Sequence, residues 1–341
     1  METQIVSASQ ANIARAAAIL RQGGLVAVPT ETVYGLAANA LDPAAAARIY
    51  AAKGRPSDNP LIVHISDTSE LAPLVRQVPD ICRVLAQQFW PGPLTIVLPA
   101  SAAVPKQVTG GLDTVAVRCP AHPVARAVIR AAGLPLAAPS ANSSGRPSPT
   151  TAAHVYADLH GKIPMILDAG PCEIGVESTV LSLAGEHPTV LRPGGVSVDR
   201  LEAVIGPVAV SGAVFAPMAD DDAPMAPGMK YRHYAPRAPI TLFSGPDDAV
   251  IRRINSLADS RTGILCFNGE ERLFSAGAPV PYGDRDDPLD LSHNLFSALR
   301  RFDDLGVCRI YGRMCLQDGA FLGVANRLLK AAGFHMEKVD R

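Results

Sequence analysis

Short apolar runs alternate with helical patterns between residues 25 and 210. The runs are bounded by Pro and Gly and rich in Val, Ile, Leu and Thr, as buried strands are. We predict strands at residues 25–28, 61–65, 94–98, 114–118, 136–138, 165–167, 179–183 and 189–191. Helices are predicted at 11–22, 42–53, 79–89, 122–132, 151–159 and 198–205. This alternation predicts an α/β domain on one twisted sheet of mixed strand order.

The pattern changes after residue 206. Six prolines interrupt residues 206–239, where no periodicity is visible, and this predicts a long linker. Residues 240–243, 247–257, 263–267, 289–305, 309–311 and 320–332 then follow as strand, helix, strand, helix, strand, helix. We therefore predict a first domain at 1–208, a linker at 209–239 and a smaller Rossmann-like α/β domain at 240–341. No G-x-G-x-x-G occurs in it, so we expect no dinucleotide site there.

Composition narrows the class of protein. Of the 341 residues, 48% are hydrophobic and 18% are charged, which is a globular composition. No run of 18 apolar residues would span a membrane, and the first 20 residues lack the features of a signal peptide, so we expect a cytoplasmic protein. The six cysteines form no C-x-x-C pair, which argues against a zinc site and a disulfide framework.

The charge balance limits nucleic-acid binding. The net charge is −1, and the first 210 residues hold 15 Lys and Arg against 15 Asp and Glu. Non-specific binding of nucleic acid requires a broad basic surface. Any basic site must therefore be a local cleft.

One loop, residues 53–60, concentrates charge beside a predicted helix. It reads Lys-Gly-Arg-Pro-Ser-Asp-Asn-Pro, and its two cations on a Pro- and Gly-shaped loop are typical of a polyphosphate site. A second interpretation needs no ligand. Asp42 and Pro43 would begin the helix and Gly54 would end it, so that Lys53 would only complement the helix dipole. The loop taken alone leaves both interpretations open.

Other polar stretches follow predicted strands at residues 29–35, 137–150 and 168–193. Loops at strand ends are where α/β sheets bind ligands, and small hydroxyls with backbone N–H groups suit phosphate. A serine hydrolase with Ser140 or Ser144 as nucleophile is disfavoured, because there is no G-x-S-x-G and no obvious base. Metal-ligand spacing is also absent, so any Mg²⁺ would arrive with a nucleotide.

Seven blocks in order resemble the YrdC-like family of L-threonylcarbamoyladenylate synthases, in its long two-domain form. They are PTETVYGL at 29–36, KGRPSDNPL at 53–61, FWPGPLT at 89–95, APSANSSGRPSPT at 138–150, GVESTV at 175–180, LRPGG at 191–195 and PGMKYRHYAP at 227–236. The resemblance implies a reaction of L-threonine, bicarbonate and ATP that yields threonylcarbamoyl-AMP and pyrophosphate. The product would serve N6-threonylcarbamoylation of adenosine 37 in ANN-decoding tRNAs.

The resemblance also implies site residues. Threonine would be held by Thr32, His64, Arg118, Ala138 and Ser178. ATP would be held by Lys53, Arg55, Asn59, Thr114, Ser140, Asn142, Ser148, Arg192, Tyr231 and Tyr234. The catalytic residues among them would be Lys53, Arg55, Ser140 and Asn142. No covalent nucleophile is required, because positioning and charge stabilisation suffice for phosphoryl chemistry.

The resemblance turns the linker into a lid, because residues 227–236 would close over the nucleotide and exclude water. It also implies a downstream partner, the tRNA threonylcarbamoyl transferase machinery. The competing interpretation is a binding module for double-stranded RNA or a ribosome-assembly factor, against which the charge balance argues.

Overall fold

The computed structural model describes residues 1–218, 226, 229 and 233–340. The chain divides into two units. The first holds Met1–Ser144, Ser148–Val214 and the described residues of Met218–Lys230. The second holds Gly145–Pro147, Phe215–Pro217 and the described residues of Tyr231–Arg341.

The first unit combines eleven strands with seven helices in its described part. Its strands are β1 (Gln4–Ser7), β2 (Val26–Val28), β3 (Gly35–Asn39), β4 (Ile62–His64), β5 (Leu94–Pro99), β6 (Thr114–Arg118), β7 (Leu136–Ala137), β8 (Met165–Asp168), β9 (Thr179–Ser182), β10 (Thr189–Arg192) and β11 (Ala209–Val210). Its helices are α1 (Gln10–Arg21), α2 (Pro43–Lys53), α3 (Asp80–Phe89), α4 (Lys106–Thr109), α5 (Pro123–Ala132), α6 (Ala152–Leu159) and α7 (Val198–Ile205).

All eleven strands form one mixed sheet in the order β1-β8-β2-β3-β7-β4-β6-β5-β9-β10-β11. Alternate residues of its central strands face the main hydrophobic core, among them Leu94, Ile96 and Leu98 of β5. Because successive side chains of a strand point to opposite faces, the residues between them face away from that core. Thr95 and Val97 therefore lie on the second face of the sheet.

Helix α2 shows how local sequence sets the boundaries of an element. The side chain of Asp42 accepts a hydrogen bond from the backbone N–H of Ala44, and Pro43 occupies the first turn. Gly54 ends the helix with φ +62°, a left-handed conformation that glycine adopts at little cost. The predicted limits of this helix are confirmed.

Strand β1 pairs in parallel with β8, which comes much later in the sequence. Gln4 lies opposite Met165, and Ser7 lies opposite Asp168. Strand β2 also pairs with β8, so β8 lies between the first two strands. Closure of this side of the sheet therefore depends on contacts between residues that are about 160 positions apart.

The second unit carries a parallel sheet of five strands, in the order β14-β13-β15-β12-β16. The strands are β12 (Ile240–Ser244), β13 (Thr262–Cys266), β14 (Ala278–Pro281), β15 (Arg309–Arg313) and β16 (Met336–Lys338). The helices are α8 (Asp247–Leu257), α9 (Pro288–Leu305) and α10 (Leu322–Ala331). All strand pairs are parallel, as in Rossmann-like folds.

The predicted fold class, a mixed α/β sheet followed by a smaller Rossmann-like α/β sheet, is confirmed. The predicted domain boundaries at 208 and 239 stay a prediction. Five strands had not been predicted: β1, β3, β11, β14 and β16. Each of them is short or has few of the β-branched and aromatic residues that mark a strand in a sequence.

Gly194, in the LRPGG block, packs closely against the backbone of the GVESTV block. A Cβ added there would overlap the backbone carbonyl oxygen of Glu177 and lie 2.6 Å from the carbonyl carbon of Ser178, so the backbone would have to move. We expect Gly194→Ala to lower the free energy of unfolding by about 2 kcal/mol, measured by thermal or urea denaturation. At Gly185 an added Cβ would meet nothing within 4 Å. Equal stability of Gly194→Ala and the control Gly185→Ala would contradict the steric argument.

Candidate active site

One row of paired residues crosses the centre of the first sheet. His64 is paired with Arg118, Arg118 with Thr95, Thr95 with Val180, and Val180 with Arg192. With neighbouring strands about 4.8 Å apart, the row extends over roughly 19 Å. The register therefore places His64 and Arg118, predicted for threonine, beside each other, and Arg192, predicted for ATP, at the other end.

The face that carries this row has its own apolar cluster. Its buried members are Ile62, Val97, Ala116, Val180, Leu191, Ala226 and Met229. Ala226 and Met229 belong to the predicted linker, and they are 0% and 5% exposed. Two linker side chains thus pack on the sheet face that bears the candidate site.

Arg118 is the most constrained side chain of the row. It is 4% exposed, and it donates from Nη1 to Oγ1 of Thr32 at 2.9 Å and from Nε to the backbone carbonyl oxygen of Gly92 at 3.1 Å. Its Nη2 donates to Oε1 of Glu31 in a buried ion pair. Three of its five N–H groups are used in this way, which leaves two N–H groups for a bound carboxylate.

Glu31 compensates the buried charge of Arg118. Burial acts to raise the pKa of Glu31, but the positive charge and hydrogen bond of Arg118 outweigh it, and the pKa lies below its usual value. The carboxylate is therefore ionised at neutral pH. An Arg and a Glu that are both buried and paired avoid the cost of an isolated interior charge.

His64 is a neutral hydrogen-bonding group in this site. Its Nδ1 lies 3.2 Å from the backbone carbonyl oxygen of Ile62, which can only accept, so Nδ1 carries the hydrogen. Burial, and secondarily the charge of Arg118, lower the pKa of His64 to about 3. The other ring nitrogen, Nε2, is then an acceptor for a ligand's N–H or O–H group.

Ser178, predicted for threonine, is in contact with Arg192, predicted for ATP. Its Oγ lies 2.7 Å from Oγ1 of Thr95. Arg192 donates from Nη2 to the backbone carbonyl oxygen of Ser178 at 3.0 Å and to its Oγ at 3.3 Å. Arg192 is 5% exposed, so its guanidinium is held under the surface and not in a mobile turn.

Lys53 ends α2 with its side chain buried. Its Nζ donates to the backbone carbonyl oxygens of Ser140 at 2.5 Å and Asn142 at 2.6 Å. Its own backbone carbonyl oxygen accepts from the N–H of Ser144 at 2.9 Å. Burial lowers the pKa of Lys53 well below its usual value. Lys53 therefore fastens the loop at 138–150 to the end of the helix.

Arg55 is held inside its own loop. It donates from Nη2 to Oδ1 of Asn59 at 2.6 Å and to the backbone carbonyl oxygen of Pro60 at 2.9 Å. Asn59 is 1% exposed. The predicted end of the helix is confirmed, since Lys53 lies in the last turn and Gly54 follows it. The expectation that Lys53 only complements the helix dipole is wrong, because its Nζ donates to the loop at 138–150. The phosphate interpretation stays a prediction.

Two further predicted residues lie on neighbouring parts of the site. Ser148 is fully buried, and its Oγ donates to Oε1 of Glu177. Ala138 donates from its backbone N–H to the carbonyl oxygen of Ile62 at 3.0 Å, which sets it beside β4. The structure thus connects the loop at 138–150 with the GVESTV block through Glu177.

The three remaining residues predicted for ATP are Thr114, Tyr231 and Tyr234. Thr114 begins β6, four residues before Arg118 and on the same face, about 13 Å along the strand. Tyr231 lies outside the described residues. Tyr234 is 4% exposed in the second unit, where its ring lies 5.2 Å from that of Phe296 and under the guanidinium of Arg327.

Three residues that the structure brings into the site, Glu31, Glu177 and Thr95, have no predicted role. Glu31 and Glu177 lie inside the recognised blocks but had been given no role, and Thr95 had been treated as strand. The signal available in the sequence was the presence of an acidic residue inside each of these two blocks. The role of Thr95 depends on strand register, which local sequence does not reveal.

Among the residues that the structure describes, no three His, Cys, Asp or Glu side chains are grouped so that they could hold a metal ion. In the same part of the sequence, no helix is both long and apolar enough to cross a membrane.

Comparison with known proteins identifies the family. Residues 18–194 match a family described as "Telomere recombination", and residues 196–333 match "Threonylcarbamoyl-AMP synthase, C-terminal domain". The threonylcarbamoyl-AMP synthase of Pyrococcus abyssi is 47% identical over 333 residues, 95% of each chain. The chain belongs to the threonylcarbamoyl-AMP synthase family. The Bacillus subtilis threonylcarbamoyl-AMP synthase is 47% identical over 334 residues, 97% of this chain and 96% of that protein.

A solved structure of the same family supports the fold along the whole sequence. Pyrococcus abyssi Sua5 complexed with L-threonine matches with a TM-score of 0.92 and 46% identity over 99% of both chains. The predictions of the family, of an enzyme, and of threonylcarbamoyl-AMP synthesis for tRNA modification are confirmed. The family name also implies ATP as a substrate of this threonylcarbamoyl-AMP synthase family member.

The low pKa of His64 predicts a dependence of stability on pH. The unfolded protein binds the proton near pH 6.5 and the folded protein only near pH 3, so the folded state loses stability as the pH falls between these values. From pH 7 to pH 5 the loss is about 2 kcal/mol. His64→Gln should remove this part of the loss, measured by denaturation at both pH values. Exposed His187→Gln is the control, and an unchanged loss in His64→Gln would contradict the assignment.

Proposed function

We propose that the residues described above carry out the synthesis of L-threonylcarbamoyladenylate from L-threonine, bicarbonate and ATP, with release of pyrophosphate. The product would serve N6-threonylcarbamoylation of adenosine 37 in tRNAs that read ANN codons. The observation that carries this assignment is the buried Arg118, paired with Glu31 and still able to bind a carboxylate. A family member solved with L-threonine supports it.

Threonine would bind at the His64 end of the row. Its carboxylate would take the two remaining N–H groups of Arg118 as a bidentate pair. Thr32, Ala138 and Ser178 would line the rest of this subsite. Because Glu31 already neutralises Arg118, a second carboxylate would be attracted less strongly than by an unpaired guanidinium, and the subsite would both bind and release its substrate.

His64 would orient threonine without exchanging a proton with it. Its Nε2 would accept a hydrogen bond from the threonine amine or hydroxyl, and its pKa of about 3 keeps it uncharged. A neutral neighbour favours the uncharged amine that must attack the carbon of CO₂ or bicarbonate. The attack forms the N–C bond of a carbamate on the threonine nitrogen. With CO₂ one amine proton passes to the solvent, and with bicarbonate one water molecule leaves.

The second step joins the carbamate to the nucleotide. A carbamate oxygen attacks the α-phosphorus of ATP, a new P–O bond forms, and the bond from the α-phosphorus to the bridging oxygen breaks. Pyrophosphate leaves with that electron pair. Catalysis would consist of aligning two anions and stabilising charge on the phosphoryl oxygens.

ATP would lie along the row and the loops beside it. The proposed contacts are Lys53, Arg55, Asn59, Thr114, Ser140, Asn142, Ser148, Arg192, Tyr231 and Tyr234. Lys53, which is bonded to backbone oxygens of the loop at 138–150, would act on ATP chiefly by holding Ser140 and Asn142 in place. Arg55 and Arg192 would supply the fixed positive charge.

Magnesium would come with the nucleotide. The described residues contain no group of three metal-ligating side chains, so the phosphates and water would supply most of its ligands. When bound, the ion would neutralise phosphate charge. The enzyme's own arginines would orient the triphosphate around it.

The linker would act as a lid over this site. Ala226 and Met229 pack on the apolar part of the row's face, which supports closure of residues 227–236 over the reactants. Exclusion of water would protect the carbamate and the mixed anhydride. The product would then pass to the tRNA threonylcarbamoyl transferase machinery.

The function is tested by measuring pyrophosphate release from the full-length protein. We expect release only when L-threonine, bicarbonate and ATP are all present, and we expect Arg55→Ala to lower turnover at least tenfold because phosphate stabilisation is lost. Arg83→Ala, which removes an exposed arginine of α3, is the control. Release that does not depend on threonine, or salt-sensitive binding of double-stranded RNA without release, would contradict the proposal.

The lid is tested separately through Met229. Met229→Ser removes an apolar contact with the row's face, so the closed form should be less populated. We expect a several-fold higher KM for ATP and more hydrolysis of the adenylate per turnover, measured by following pyrophosphate and AMP together. Met336→Ser, at a 40% exposed position in the second unit, is the control. Identical kinetics of both variants would argue against a lid.

A further inference from the structure

The chain continues in opposite directions from β12 and β15, two neighbouring strands of the second sheet. From β12 the backbone runs through α8 to β13 on one side, and from β15 it runs through α10 to β16 on the other side. Because such crossovers are right-handed, the two helices lie on opposite faces of the sheet. Each connection passes over the neighbouring strand, so the segments that leave β12 and β15 lie side by side at the carboxyl edge, where open parallel sheets bind ligands.

A cavity of about 190 Å³ lies at this point. Its walls come from the segments that follow β12 and β15, together with one residue of the loop after β14. They are Phe243, Ser244, Gly245, Asp247, Val250, Arg285, Arg313, Met314, Cys315 and Leu316. The cavity therefore lies at the carboxyl ends of two neighbouring parallel strands.

Two arginines meet one carboxylate in the cavity. Arg313 donates from Nη2 to Oδ1 of Asp247 at 2.5 Å, and Arg285 donates from Nη1 to Oδ2 of the same carboxylate. Arg313 also donates to Glu270, which does not line the cavity. Asp247, the first residue of α8, thus lies between two guanidinium groups.

The side chains of these ion pairs differ in how deeply they are buried. The side chain of Arg313 is 4% exposed and that of Glu270 is 16% exposed, whereas those of Asp247 and Arg285 are 42% and 48% exposed. The pair between Asp247 and Arg285 joins two exposed side chains, and such pairs contribute little to stability. Glu270 therefore compensates the buried Arg313, while the carboxylate of Asp247 can exchange with another anion at small cost.

We propose that this cavity is a binding site for a small phosphate-bearing ligand, which Asp247 vacates when the ligand's phosphate takes its place between Arg285 and Arg313. Forked guanidinium groups match phosphate oxygens, and the start of α8 adds N–H groups to the same position. The volume corresponds to roughly six water molecules, which suits inorganic phosphate, pyrophosphate or a phosphorylated metabolite of a few carbons. The site does not depend on the function proposed for the first unit.

The methyl group of Met314 provides an NMR probe of this cavity. It lines the wall and is one of seven methionines, so ¹³C-methyl labelling gives few signals, and Met314→Leu assigns its own. We would titrate the full-length protein with inorganic phosphate at constant ionic strength, without ATP or threonine. The expected result is a saturable shift of the Met314 methyl signal with a Kd in the millimolar range or below.

Three variants separate a ligand site from a structural ion-pair network. Arg285→Gln should weaken phosphate binding at least tenfold, and Arg261→Gln, an exposed arginine that precedes β13, should leave it unchanged. Asp247→Asn should strengthen binding several-fold, because it removes the competing charge. A purely structural network predicts no saturable shift in any of these proteins, and that result would overturn the proposal.

A second ligand class is an outcome of the same experiment. An α-amino acid could place its carboxylate on the arginines and its ammonium group on Asp247. A Met314 shift with glycine or L-threonine but not with phosphate, abolished in Asp247→Asn, would replace the phosphate assignment. Activity is not the readout, so failure of this site and failure of the proposed function are distinguishable.

Discussion

The buried ion pair between Arg118 and Glu31 is the constraint around which the first unit is arranged. A guanidinium that is almost fully buried must be paired, and removal of one partner of such a pair typically costs about 3–5 kcal/mol. Glu31 meets this requirement from a loop 87 residues away in sequence. Because the pair fixes that loop against the end of β6, it also fixes Thr32, which the loop presents to the same guanidinium. The charge that would hold a substrate carboxylate is thus part of the folded framework before any ligand binds.

Backbone contacts organise the two loops proposed for ATP in a different manner. No Walker-type glycine loop occurs in the sequence. Instead, Lys53 donates hydrogen bonds to carbonyl groups of the loop at 138–150. Arg55 donates to Asn59 within its own loop. Residues 53–60 therefore combine the end of a helix with contacts that hold a second loop. A cation that ends a helix can also hold a neighbouring loop in the shape that a triphosphate needs.

Local signals allowed much of this architecture to be predicted. Asp42 and Gly54 delimit α2 by their own hydrogen-bonding and backbone preferences, and these were visible in the sequence. Strand β3 was missed because Gly-Leu-Ala-Ala-Asn has little intrinsic preference for a strand, and only its neighbours in the sheet make it one. The site residues were recognised as blocks, but the partnership of Arg118 with Glu31 was not. It arises from strand register and burial, which are properties of the whole sheet.

The pairing of β1 with β8 also has a consequence for folding during synthesis. Residues 4–7 find their partners only after residues 165–168 have left the ribosome. At about 5–20 residues per second, that interval is roughly 8–32 s. During this time the first strand and the free edge of β2 remain without their neighbour, exposed to other proteins and to chaperones. Synthesis rate, and not only sequence, therefore determines how long this side of the catalytic sheet stays open.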